Sequence, residues 1–186
     1  MNILSGIANA KVPIWEKLWQ KIAYKNKFCT MCDNKFQHPV DGREGIFFSI
    51  DICDSVQIVA ETRENKVLLV RQFRFGSEKL SLELPAGRME KDEDIIACAR
   101  RELLEETGYD GKNARIIATL HQNPAVQVNK THIVHMEKCE QISQPHFDEM
   151  EELATLIVPK DELINLIRSD EIDNSLTLSA MAKFLF

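Results

Sequence analysis

Nowhere in this chain do apolar residues run on toward the roughly 18 that a membrane-spanning helix requires. Met1 to Ala10 carry neither a basic start nor a long apolar stretch. A membrane span and a secretory leader are therefore not expected, and the chain reads as cytoplasmic. Lys and Arg form no cluster, and the net charge is -6. That balance argues against a polynucleotide or an anionic membrane as partner, and suits a small phosphorylated molecule held through a cation. Linkers rich in Gly, Ser or Pro, internal repeats and low-complexity tracts are also missing. At 44% hydrophobic and 28% charged in 186 residues, the composition is that of one globular core preceded by an extension. The expected division is residues 1–42, an N-terminal helix and strand, and residues 43–186, the main domain.

Cysteine is sparse and unpaired in pattern. The five cysteines, Cys29, Cys32, Cys53, Cys98 and Cys139, are odd in number and scattered, which fits reduced thiols better than a disulfide framework. Cys29 and Cys32 form a C-x-x-C followed by His38, but no second such pair exists. The stretch from Phe28 to Phe36 reads as extended, where residues three apart point to opposite faces, so structural thiols are expected rather than zinc. By the same geometry His132 and His135 cannot chelate one ion on a strand.

What is present is a strand-rich pattern around one helix. Ile14, Trp15, Leu18, Trp19 and Ile22 recur at helical spacing and predict a helix over Val12 to Tyr24. Phe28 to Lys35, a turn at His38 to Gly42, and alternating Ile46, Phe48, Ile50 and Ile52 predict a hairpin. Further strands are expected around Val56 to Ala60, Val67 to Phe73, Ala114 to Leu120, His132 to Glu137 and Ala154 to Val158. Helices are expected over Lys160 to Arg168 and from Asn174, or Asp173, to Phe186, with one of those two as cap.

Between Gly87 and Tyr109 runs GRMEKDEDIIACARRELLEETGY. From Asp94 to Thr107 it has no Pro or Gly and is rich in Ala, Leu, Glu and Arg. It stops at Gly108, the residue best suited to a left-handed helix cap. On that helix Glu102, Glu105 and Glu106 share one face within a single turn, and each like-charged pair costs about 0.2–0.5 kcal/mol. A cation, or Arg101 and Arg100, is expected to compensate them. Oxygen ligands at this density suit Mg²⁺ or Mn²⁺. Three carboxylates alone would read as a solvated acidic face. Eight positions in register, Gly87, Glu93, Arg101, Glu102, Leu103, Glu105, Glu106 and Gly108, do not.

That pattern, Gly-x5-Glu-x7-Arg-Glu-U-x-Glu-Glu-x-Gly-U with U a bulky apolar residue, resembles the Nudix box. The flanks, Val70 to Arg74 and Leu82 to Gly87, are most similar to the ADP-ribose pyrophosphatases and nucleoside diphosphate sugar hydrolases of the Nudix hydrolase family. The resemblance implies an α+β fold: an α/β/α sandwich with a mixed sheet and a catalytic loop-helix. It implies a Mg²⁺-dependent hydrolase, with Mn²⁺ an alternative, that splits the pyrophosphate of a nucleotide sugar.

Residue by residue, it makes Glu102 and Glu106 metal ligands with the backbone oxygen of Ala86, and Arg101 the group that orients the carboxylates. Glu93 becomes a structural partner near the helix start. Arg74 corresponds to a residue that contacts substrate phosphate. The loop holding Pro124 and Asn129 corresponds to the substrate loop, although Ala125, Val126 and Asn129 depart from its Gly-rich, Glu-bearing form. Glu149 corresponds to the catalytic base and Glu151 to a further ligand, with Glu105 as the other candidate base. A homodimer is implied, in which N-terminal strands help bind the nucleobase; Phe28, Phe36 and Phe47 are candidate stacking residues. The competing readings are a Nudix hydrolase of another nucleoside diphosphate derivative and a non-catalytic nucleotide-sugar sensor, the second of which retention of all three helix carboxylates disfavours.

Overall fold

The computed structural model describes residues 11–147, 149–150 and 152–186. They form two compact units, residues 11–52 with 123–128, and residues 53–122 with the described part of 129–186.

The first unit is a three-stranded antiparallel sheet in the order β1 (Glu16–Lys25), β2 (Thr30–Gln37) and β3 (Glu44–Asp51). The predicted hairpin is present. Its turn is closed by the amides of His38 to Arg43 O (2.9 Å) and Gly42 to His38 O (3.0 Å), with Gly42 at φ 70. The 123–128 segment joins β3 through the Ile50 amide to Val126 O (2.7 Å) and the Val128 amide to Ile50 O (3.1 Å).

Two expectations are corrected by this unit. The helix predicted over Val12 to Tyr24 is strand β1. Its register on β2 slips between Lys17 and Trp19 and again between Ile22 and Tyr24, leaving Leu18 and Ala23 as extra residues. Directly opposed residues share a face. One face of β1 therefore carries Glu16, Trp19, Lys21 and Tyr24, and the other Lys17, Gln20, Ile22 and Lys25, spacings of three, two and three that imitate a helix. The division after residue 42 also moves, to Ile52, because β3 pairs with β2 along its whole length.

The second unit is built on β4 (Ser55–Thr62), β5 (Lys66–Arg74), β6 (Lys79–Glu83), β7 (Ala86–Arg88), β8 (Tyr109–His121), β9 (Lys130–Gln141) and β10 (Leu153–Pro159). Their order is β10-β5-β4-β9-β8, with β6 on β5 and β7 on β4. The sheet is mixed, since β4 and β9 run parallel while the other pairs are antiparallel. Alternation along the central strands sends side chains to both faces. Val56, Ile58, Ala60, Leu68, Val134 and Met136 meet Cys98, Ala99 and Leu103 of α1 (Ile95–Thr107). Val59, Val67, Leu69 and Ile133 meet Leu163 at the start of α2 (Leu163–Arg168), Ile172, and Ala180 and Met181 of α3 (Ser175–Leu185). Both faces are covered, so β4 and β5 read as continuous apolar runs. The outcome is the expected α/β/α sandwich. No helix among the described residues is long and apolar enough to cross a membrane.

The helix ends follow the sequence. Asp94 caps α1, its Oδ1 accepting the Ile96 and Ala97 amides at 3.0 Å each, and Asn174 caps α3 through Leu176 and Thr177. Gly108 closes α1 in the left-handed region at φ 75, its amide bonded to Leu104 O. A Cβ at Gly108 would run into the backbone oxygen of Ser143. Gly108 O also accepts the Ile142 and Ser143 amides (2.9 and 3.1 Å), which pins the chain after β9 to the end of α1. Asp94→Ala is expected to lower unfolding free energy by about 1 kcal/mol through the lost cap. Gly108→Ala should cost clearly more, since strain and collision add. Urea unfolding of both variants checks the order.

Candidate active site

Helix α1 and strand β7 build the site from residues close in sequence. Arg101 lies at its centre. Its Nε and Nη2 donate to the two oxygens of Glu93 (2.8 and 3.0 Å), and its Nη1 donates to Glu102 (2.9 Å) and Glu105 (3.1 Å). Nη2 also donates to Arg88 O (3.2 Å), tying the helix to the end of β7. The compensation expected of Arg101 is present, whereas Arg100 turns away to Asp110 and Gly111 O.

Electrostatics follow from this fork. Hydrogen bonding from Arg101 is the main reason the Glu93 carboxyl falls from its ordinary 4.5 to about 2; burial opposes it, and the Glu90 amide assists. The carboxylates in turn hold the Arg101 guanidinium above its ordinary value. Burial, then Glu93, pushes the Cys98 thiol up to about 12, so this cysteine is a core residue and not a nucleophile.

Gly87 has a reason to be glycine: a Cβ there would fall on the Glu102 carboxylate. Glu102 thus lies flat on the backbone of β7. Glu106 is nearly buried, at 5% exposure, and accepts the Ala86 amide at 3.1 Å. Glu105 is more open and points its carboxylate at Arg101, while its backbone oxygen accepts the His146 amide at 2.8 Å.

Ala86, Gly87, Glu93, Arg101, Glu102, Glu105 and Glu106 are therefore brought together. Arg74 is held in a fork by Glu83, at 2.8 and 2.6 Å. Burial alone would raise the fully buried Glu83 carboxyl, but Arg74, with Ser81 and Asn174, outweighs it and holds the group below its ordinary value. Sequence reasoning missed Glu83, whose signal was an acid between two core leucines, Leu82 and Leu84.

Glu149 stands exposed in a turn. Glu151 lies outside the described residues. Pro124 belongs to the first compact unit and Asn129 to the second. Asn129 is 3% exposed, and neither amide atom has a partner among the described residues. Among the described residues no three His, Cys, Asp or Glu side chains converge as a ready metal site. His132 bonds Thr119 (2.9 Å) and His135 bonds Glu61 (3.0 Å), each within its own face of β9.

A mixed-sheet sandwich with this Glu/Arg helix laid on a glycine-bearing strand defines a Nudix-type domain. The NUDIX domain model matches residues 52–178. An ADP-ribose pyrophosphatase of Bacillus subtilis (strain 168) is 31% identical over 128 residues, 68% of this chain and 69% of that protein. A methanol dehydrogenase activator of Bacillus methanolicus is 32% identical over 131 residues, 68% of this chain and 69% of that protein. A crystal structure of an ADP compounds hydrolase superposes with a TM-score of 0.82 at 19% identity, covering 94% of this chain and 95% of that one. The chain belongs to the Nudix family and is a Nudix hydrolase.

The Glu93–Arg101 fork has a pH signature. A carboxyl lowered from 4.5 to about 2 stabilises the fold fully above pH 4.5, and this contribution is lost as pH falls toward about 2. The difference in unfolding free energy between wild type and Glu93→Gln should be constant above pH 4.5 and shrink between there and about pH 2. Denaturant titrations across that range check it; a difference that does not change with pH would remove the fork's electrostatic role.

Proposed function

We propose that this protein is a Mg²⁺- or Mn²⁺-dependent pyrophosphohydrolase acting on ADP-ribose or a related nucleoside diphosphate sugar, releasing a nucleoside monophosphate and a sugar phosphate. The observation that carries the reading is the pair Glu102 and Glu106, set one turn apart on α1 and seated on the Gly87 and Ala86 backbone. With the Ala86 carbonyl they supply hard oxygen donors of the kind a divalent cation selects, and Glu151 would complete the set. A bound divalent cation would neutralise pyrophosphate charge and acidify a water molecule.

The chain's own residues do the rest. Arg101 holds Glu102 and Glu105 in one orientation, so little reorganisation is needed on binding. Arg74 meets a substrate phosphate in this reading, exchanging part of its bond to Glu83. Glu149, on its exposed turn, takes the proton from the attacking water, with Glu105 as the alternative base. Pro124 and Asn129 contribute to substrate binding. The protein acts in the cytoplasm, consistent with five free cysteines. It acts as a homodimer, whose contact surface is the first unit's sheet with its exposed Trp19, Ile22, Tyr24, Ile46, Phe47 and Phe48.

The test is chromatographic product analysis with Mg²⁺ and a panel of ADP-ribose, other nucleotide sugars, dinucleoside polyphosphates and nucleoside triphosphates. AMP and ribose 5-phosphate from ADP-ribose, with the other compounds slow, support the reading; preference for another nucleotide sugar keeps the chemistry and moves the substrate. No turnover of any compound favours a regulatory role, in the direction of the Bacillus methanolicus relative's name. Glu106→Gln should reduce turnover by more than the ~10–100-fold typical of outer-sphere partners of a metal, with unchanged circular dichroism. Near-normal rates at saturating Mg²⁺ would overturn the ligand role. Glu149→Gln should lower kcat and leave the Mg²⁺ dependence in place; if it alters neither, the base is Glu105.

A further inference from the structure

Besides the Asn129 amide, two buried polar atoms are left unused by the fold among the described residues. Gln72 Nε2 and Thr155 Oγ1 are both buried and have no hydrogen-bond partner among the described residues. Such atoms cost stability, and a native chain keeps them where something else satisfies them.

Strand register places the two side by side. On β5, Gln72 is opposite Ser81 of β6 and Leu153 of β10, and Val70 is opposite Glu83 and Thr155. Opposed residues in antiparallel strands share a face, and diagonal neighbours are about 7–8 Å apart. Gln72 and Thr155 are such a diagonal pair. Leu68, two residues before Val70 on the same face, packs in the cluster with Cys98, Ala99 and Leu103 of α1. The orphaned pair therefore lies on the side of the sheet that α1 covers, where Glu102 and Glu106 also belong.

Its surroundings define the ligand. Arg74 and Glu83, on the same face, neutralise each other through a two-point bond. The pair adds an amide donor and a hydroxyl that both donates and accepts. A neutral hydroxyl group satisfies both, accepting from Gln72 and exchanging a hydrogen bond with Thr155. We propose that Gln72 and Thr155 bind a hydroxyl of the sugar half of the substrate and so set preference for that sugar. This rests on the nucleotide-sugar reading above.

Wild type, Thr155→Val and Gln72→Leu would be compared on ADP-ribose and on the β-methyl ester of ADP, which keeps the adenosine and the pyrophosphate and has a methyl group in place of the terminal sugar. Each compound is assayed as substrate or, where not turned over, as competitive inhibitor. The preference for ADP-ribose over the ester should fall about tenfold in each variant, the loss of one hydrogen bond to a buried partner. Because Val replaces an unpaired hydroxyl with its own shape, ligand-free Thr155→Val should melt at the same temperature as wild type or higher.

An unchanged preference would mean that the pair holds only water, and an equal loss on both compounds would make it a general support; either overturns the assignment. A lower melting temperature for Thr155→Val would show that the hydroxyl was already satisfied within the fold, and would overturn it too. If wild type neither hydrolyses nor binds ADP-ribose or any other nucleotide sugar of the panel, the nucleotide-sugar reading itself fails and takes the pair's role with it. Wild-type turnover with unchanged preference removes only the pair.

Discussion

The guanidinium of Arg101 is the constraint on which the site depends. Without it, Glu102 and Glu105 on one turn of α1 would repel each other and splay toward water. With it, Glu93 in the preceding loop and Glu102 and Glu105 on the helix share one planar donor. A lysine could not serve the same geometry, because a single ammonium cannot present a two-point fork to Glu93 while reaching two more carboxylates in fixed directions. The bond from Arg101 to Arg88 O extends the same organisation to β7, where Ala86 and Gly87 receive Glu106 and Glu102.

The sandwich makes that organisation rigid. Helix α1 is pressed on the central strands through Cys98, Ala99 and Leu103, while α2, α3 and Ile172 back the same strands from the opposite face. The parallel contact of β4 with β9 sits between them. Side-chain alternation on β4, β5 and β9 thus does two things at once: it supplies both cores, and it sets the height of the acidic helix above the sheet.

Legibility in the sequence followed the range of the interactions. Helix α1 and its caps at Asp94 and Gly108 depend on neighbours within a turn, and the same local spacing brought out Arg101, Glu102, Glu105 and Glu106. The core strands showed through their apolar runs. Strands β6 and β7 were not separated from the approach to α1, because β7 is three residues long and both are defined by pairing with distant strands. Glu83 was hidden for a related reason, since its partner Arg74 reaches it across a strand pair. Strand β1 was misread as a helix because two inserted residues changed its repeat from two toward a helical value.

Those same inserted residues shape how the first unit can meet anything else. β1 is an edge of its sheet, and its side chains are exposed along its entire length. A flat edge of this kind is a template onto which further strands can add without limit. Leu18 and Ala23 interrupt the regular row of outward amides and carbonyls, and they increase the local twist. Open-ended stacking of strand upon strand is thereby disfavoured at this edge.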